Sequence, residues 1–334
     1  LSASAKKILL ILIKLGLPLG IFVYLLASVD RADYVAFWQQ PKRWDYLVLA
    51  QVLVVLATVI GILRWRLLVL YLDIPFTTAE AMRLGFVGYL MNFVSLGSVG
   101  GDLFKAILAA RNKPSKKPEA VASVLLDRAI GLLGLIMLAW LSILFFIDYR
   151  APKLIVTIGQ AAGTATTVCF LGLLIAVYSG PWLDRWIERF EERVPVLGPL
   201  LARMARSVRL LRQHSAGIPA LIASSLLVHV LLTLSVCLIS WGIYPEAPTL
   251  QEHFVIVPPA MAAGAIPLAP GGLGIQEGAI VGLFRVLPGL PATFSAVLVA
   301  TVFRLMTLSC AGIGVAYIVA SHGRELQYMR KAAG

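Results

Sequence analysis

Six stretches of the chain are unbroken apolar runs: 8–29, 46–63, 119–147, 154–178, 216–241 and 292–320. A helix rises 1.5 Å per residue, so about twenty apolar residues cross the roughly 30 Å hydrocarbon core of a bilayer. The pattern therefore predicts an all-α bundle with about six spanning helices. Two further apolar stretches, 79–110 and 253–287, are as long but interrupted, the first by Ser-Leu-Gly-Ser-Val-Gly-Gly-Asp (95–102) and the second by Pro-Leu-Ala-Pro-Gly-Gly-Leu-Gly-Ile-Gln-Glu (267–277). Glycine and proline break a continuous helix. Each break is followed by an acidic residue and a second helical run, so both stretches are expected to dip in and return as re-entrant helices. Between 180 and 215 apolar residues recur at helical spacing among many charges, which predicts an amphipathic connector at the headgroup level. The chain reads as one transmembrane domain, 1–334, with halves of about 1–150 and 151–334.

Composition supports the membrane reading. Of 334 residues, 59% are apolar and only 14% charged, and the mean hydropathy is +0.87. Soluble domains are nearer 45–50% apolar and about 25% charged. Lys6 and Lys7 precede the first apolar run, which is longer than a signal-peptide core and reads as a retained span. The net charge is +12. The basic residues gather at span ends with no nucleic-acid-binding motif beside them, so the positive-inside rule accounts for the excess and no nucleic acid is expected. With both termini cytoplasmic, twenty-one basic residues fall inside, the group from Arg64 to Lys117 among them, and six fall outside. The interrupted stretches then enter from opposite faces, as in transporters built from inverted repeats. Cys169, Cys237 and Cys310 each stand alone in an apolar run. They read as small buried packing residues, and neither metal nor cofactor is expected.

Ionisable residues at membrane depth are costly and call for a reason. Arg304 lies on a face of Thr293, Ala296, Ala300, Thr307, Ala311 and Gly314, so it points at other helices or a cavity, paired with a carboxylate or holding a ligand. Adjacent Asp127 and Arg128 point about 100° apart and cannot pair well with each other. Asp102 and Glu277 open the second arms of the interrupted stretches. They either cap those arms or sit where backbone N–H groups attract anions. Lys105, one turn past Asp102, is placed to pair with it. His229 reads as a satisfied buried imidazole.

The combination of Asn-Phe-x-Ser-x-Gly-Ser-x-Gly-Gly-Asp (92–102), Ser-Val-Leu-Leu-Asp-Arg-Ala-Ile-Gly (123–131), the 267–277 motif and Arg304 resembles the lysylphosphatidylglycerol synthase transmembrane (flippase-like) family. That family includes the membrane half of the bacterial multiple peptide resistance factor. The resemblance covers about 45–320. It implies a plasma (inner) membrane protein that moves a phosphate-bearing lipid headgroup between leaflets. The substrate-binding positions it implies are Asn92, Ser95, Ser98, Gly100, Gly101, Asp102, Lys105, Asp127 and Arg128 in the first half. In the second half they are Pro270, Gly271, Gly272, Gly274, Glu277 and Arg304. Lys105 departs from the family, where many members carry Arg, and lysine cannot grip phosphate with two parallel hydrogen bonds. The sequence contains no aminoacyl-transferase domain, so no catalysis is expected; a separate lipid-modifying enzyme and self-association are the protein partners considered. Competing readings are a small-ion or solute transporter and a glycosyltransferase acting on polyprenyl-phosphate sugars. An intramembrane aspartyl protease is a weaker one, since Arg128 beside Asp127 opposes a proton-sharing dyad.

Overall fold

The computed structural model describes residues 31–94, 100–110, 114–147, 152–178, 216–266 and 270–320, with His214 and a few positions between 20 and 29. Within them all regular structure is helical: α1 (Arg31–Gln39), α2 (Trp44–Tyr71), α3 (Thr78–Val94), α4 (Gly100–Ala109), α5 (Lys117–Phe146), α6 (Lys153–Tyr178), α7 (Ile218–Ile243), α8 (Leu250–Ala265), α9 (Ile275–Phe284) and α10 (Ala296–Ala320). Helices α2, α5, α6, α7 and α10 are long and apolar enough to cross a membrane. They account for five of the six expected spans; most of the sixth, 8–29, and nearly all of the connector 180–215 lie outside the described residues. The second span is longer than its apolar run suggests. Helix α2 continues past Leu63 through Arg64 and Arg66 to Tyr71. Arg64 is therefore a buried intramembrane residue and not one of the charges at the span end.

Both interrupted stretches fold back as hairpins of one long and one short arm. In the first, a β-carbon added to Gly88 would lie 2.7 Å from the Lys105 side chain, and one on Gly101 would lie 2.1 Å from the Gly88 carbonyl oxygen. Arms α3 and α4 can approach so closely only because both contacts lack a side chain. In the second, a β-carbon on Gly264 would lie 2.7 Å from Gln276, so α8 and α9 pair in the same way. The turn between them carries Gly271, Gly272 and Gly274 at φ +56°, +68° and +77°. Left-handed backbone of this kind is readily open only to glycine. At Gly272 a β-carbon would also stand 2.6 Å from the Gly264 carbonyl oxygen.

The hairpins enter from opposite ends of the bundle. Helices α2 and α7 lie antiparallel: Arg43 N–H donates to Gly242 O (3.0 Å) at one end, and Tyr71 stacks on His214 at 4.6 Å at the other. The first hairpin opens toward the Tyr71 end and the second toward the Ile243 end. Their tips meet in mid-bundle, where the Phe93 ring occupies the space above Gly271. The order span, long arm, short arm, span thus occurs twice, with 28, 17, 10 and 30 residues in the first copy and 26, 16, 10 and 25 in the second. Helix α6 links the copies. Gly163 faces Trp140 and Gly159 faces Ile143, so α6 runs antiparallel to α5 and returns to the Tyr71 end. There Val177 joins a cluster with Leu68, Leu126 and Leu221.

Small residues set the packing. Gly134 lies against Ser225, Gly85 against Ile62, and Gly314 against the Phe86 carbonyl. In a bilayer, where burying apolar surface gains little, such close backbone approach is a main source of helix association. The face predicted around Arg304 is buried at Ala296, Ala300, Thr307, Ala311 and Gly314. Cys237 and Cys310 are buried as expected, but Cys169 is exposed, because α6 packs on α5 along one side only.

Candidate functional site

Under the hairpin tips lies a cavity of ≈ 380 Å³, lined from α2, α3, α4, α5, α7, α8, the second hairpin turn, α9 and α10. Its charged lining residues are Arg64, Lys105, Asp127 and Arg304. This volume falls in the range of small-molecule sites.

Two ion pairs are related by the repeat, and of their four residues Arg304 is among those lining the cavity. In the first copy Arg128 Nε donates to Asp102 in the first turn of α4, 26 residues earlier. In the second copy Arg304 Nε donates to Glu277 Oε1 in the first turn of α9, 27 residues earlier. Each joins the short arm of a hairpin to the span that follows it. Glu277 has a second duty, since its Oε2 accepts from Gly274 N–H at 2.7 Å. It caps the short arm and holds the arginine at once, which unites the two sequence readings of this acid. The Asp102 carboxylate also receives Lys105 Nζ at 3.5 Å, the pairing expected from their spacing. Burial differs sharply: the Arg304 side chain is 5% exposed and that of Arg128 39%.

Asp127 does not pair with Arg128. Its Oδ1 accepts from Arg64 Nε at 2.8 Å, and its backbone carbonyl from Arg64 Nη2 at 3.4 Å. Sequence reasoning missed Arg64, and the renewed apolar run after Arg66 was the signal for it. Arg128, a substrate-binding position implied by the resemblance, is not among the described residues lining the cavity, whereas Arg64 is. His229 also lines the cavity, with Nε2 3.1 Å from the Gly131 carbonyl.

Of the other predicted positions, Asn92 and Gly271 line the cavity. Gly100 and Gly101 begin α4, and Gly101 sits against Asn92. Pro270, Gly272 and Gly274 belong to the second turn, and Gly272 and Gly274 are not among the described residues lining the cavity. Ser95 and Ser98 lie outside the described residues.

Arg64 Nη1 and Arg304 Nη2 are buried without a hydrogen-bond partner, although both residues are more than nine-tenths buried. Arg304 Nη1 donates to Gly271 O at 2.9 Å, which steadies the guanidinium and leaves its last nitrogen free. Guanidinium groups suit phosphate, since their planar N–H groups match its oxygens.

Opposed hairpins meeting over a charged cavity, set among spanning helices, define a polytopic helical membrane protein of the inverted-repeat kind. The chain belongs to the family described as "Lysylphosphatidylglycerol synthase TM region", which it matches over residues 9–314, and this ties it to a lipid-related role in a membrane. Two UPF0104 membrane proteins of Methanothermobacter thermautotrophicus are similar to it. One is 23% identical over 72% of this chain and 74% of its own length; the other is 25% identical over 75% and 78%. No solved structure matches.

Proposed function

We propose that the protein moves a phosphate-bearing lipid headgroup between leaflets, passing it through the cavity beneath the hairpin tips while the acyl chains stay in the bilayer. The observation that carries this reading is the pair of buried arginines, Arg64 and Arg304, each with an unpartnered nitrogen at one cavity. A buried donor without a partner is destabilising, and phosphate oxygens satisfy it with charge-assisted hydrogen bonds. On the positive-inside bias this reading takes both termini as cytoplasmic, with the first hairpin opening inward and the second outward.

The chain acts as a carrier and not as an enzyme in this reading. Asp102 is bonded to Arg128 and Lys105, and Asp127 to Arg64, so the two aspartates are held in separate ion pairs. That is a poor basis for a proton-sharing protease dyad.

The test is flipping of a labelled anionic lipid by purified protein in proteoliposomes. Arg304→Lys keeps a cation beside Glu277 but loses the planar fork, and is expected to fold and flip more slowly than wild type. Arg304→Ala is expected to abolish flipping. Wild-type flipping by a folded Arg304→Ala protein would overturn the proposal.

A further inference from the structure

Helix α8, the long arm of the second hairpin, carries Pro258 and Pro259 in its interior. Proline has no N–H to give, so the bonds that would run from these two positions back to the Phe254 and Val255 carbonyls are missing. The gap falls among the buried residues Val255, Ile256, Val257 and Ala260. At membrane depth, backbone groups freed in this way are satisfied by neighbouring helices or by local rearrangement. The neighbour at this level is Ser142. Helix α5 ends and α8 begins at the Ile243 end, and Phe146 meets Phe254 with ring centroids 6.0 Å apart. Ser142, one turn before Phe146, therefore stands level with Pro258, one turn after Phe254. Ser142 is 3% exposed, and its hydroxyl has no hydrogen-bond partner among the described residues. A donor without an acceptor thus lies beside a helical turn whose acceptors have lost their donors.

The prolines divide α8 into two parts with different attachments. The outer part is fixed to α7, since buried His253 has Nε2 2.8 Å from Ser240 Oγ and Nδ1 2.8 Å from the Thr249 carbonyl. The inner part is fixed to the turn and to α9 through the contacts of Gly264 with Gly272 and Gln276. Met261, Gly264, Ala265, Gly271 and Gln276 of this inner body line the cavity. The first hairpin has no such division. Its long arm opens with the same box, Thr77 and Glu80 matching Thr249 and Glu252. Counted from the box, Phe86 and Val87 stand where α8 has its prolines. There α10 packs tightly, for a β-carbon on Gly314 would lie 2.4 Å from the Phe86 carbonyl oxygen.

We propose that Pro258–Pro259 is a hinge about which the inner body of the second hairpin tilts to uncover the cavity, and that the freed carbonyls accept from Ser142 in the tilted state. The first hairpin is the fixed wall. Proline is among the few causes of a sharp helix kink, and a hinge needs only a few residues to absorb the change. Arg304 reaches Glu277 and Gly271 O through a long side chain, so these bonds can follow a small tilt. The inference deepens the carrier reading, on which it rests for the use of the motion, by assigning the moving part to one repeat.

The test is the distance between nitroxide labels at Gln251→Cys and Ala265→Cys, measured by double electron–electron resonance in lipid nanodiscs. Both positions are exposed and lie on either side of the prolines, and a Cys169→Ser background leaves only the buried Cys237 and Cys310. Labels at Ala79→Cys and Met91→Cys report on α3 in the same way. Two distances are expected across α8 and one across α3. Replacing both prolines by alanine restores two backbone donors, and should cut the tilted population about 5- to 150-fold, the worth of two net hydrogen bonds. Ser142→Ala removes a hydroxyl matched only in the tilted state. It should cut that population about 2- to 12-fold and raise the melting temperature. A single distance across α8, a second distance across α3, or a tilted population unchanged by the proline replacements overturns the hinge. A population unchanged in Ser142→Ala overturns the role of Ser142. Flipping of a labelled anionic lipid is read separately in proteoliposomes. Two α8 distances without flipping support the hinge and overturn the carrier reading; flipping with a rigid α8 does the reverse.

Discussion

Replacing Asp127 by Asn tests whether the Arg64 charge is sustained by its partner. The side chains are 8% and 14% exposed, so solvent screens them little. Removing one member of a buried pair costs about 3–5 kcal/mol, because the remaining charge stays uncompensated. The two single replacements should differ. An abandoned carboxylate can take up a proton and become neutral, whereas an abandoned guanidinium cannot shed one. Asp127→Asn should therefore destabilise more than Arg64→Met. It also leaves Arg64 uncompensated on the cavity wall. The double replacement Arg64→Met, Asp127→Leu leaves no charge behind and should recover most of the loss, since apolar residues of similar volume often replace a buried pair with little penalty. Melting in detergent followed by tryptophan fluorescence gives the order: wild type and double replacement highest, Arg64→Met lower, Asp127→Asn lowest. Wild-type melting of both single variants, or a double variant as unstable as the two singles combined, would refute the argument.

Gly272→Ala places a side chain at φ +68° and 2.6 Å from a backbone oxygen. About 1–2 kcal/mol of left-handed strain comes before the clash, so melting temperature should fall, whereas Gly282→Ala, with nothing within 4 Å, should melt as wild type does. Ala79→Cys and Gln251→Cys mark the open ends of the two hairpins; in a Cys169→Ser background an impermeant thiol reagent should reach them from opposite faces, and labelling from one face would overturn the inverted arrangement. At the start of α3, Thr77 N–H donates to Glu80 Oε2 at 2.9 Å and holds that carboxyl below its ordinary 4.5. A depressed folded-state pKa gives stability that is full above the unfolded value and lost as pH falls through the folded one. Protection factors for amide exchange at the start of α3, taken against the intrinsic rate at each pH, should accordingly fall in acid, and Glu80→Gln should flatten that dependence.

The five described spans and the position of both breaks were legible in the sequence because they rest on local signals; that the broken stretches return as hairpins was not separable there from two kinked spans. Apolar run length marks a crossing, and the glycines at 97, 100, 271, 272 and 274 mark where each helix must stop. Asp102 with Lys105 was legible too, since i,i+3 neighbours meet on any helix. The cavity wall was not. Arg64 follows an apolar run of ordinary length and so resembles the charge that ends a span; its partner, Asp127, lies 63 residues away. Arg128 was carried to the site by the resemblance, yet successive helical residues face different ways, and it is Asp127 that lines the cavity. His229 was read as merely satisfied because a lone imidazole in an apolar span gives no hint that one nitrogen is bonded and the other bare.

The crossing count of each repeat limits how such a chain can have arisen. One copy has two full crossings and a hairpin, so it begins and ends at the same face. Two copies of one ancestral insert could form the antiparallel α2–α7 contact only if they entered the membrane in opposite senses. Fusing them head to tail would have undone that opposition unless an odd number of crossings was gained between them. Helix α6 supplies the crossing, and most of its surface is exposed. It acts as the suture between two inserts and adds little to the interface it makes possible. Cutting the chain beyond Tyr178 and expressing the two pieces together should preserve the assembly, whereas deleting α6 from the intact chain should turn the second repeat over.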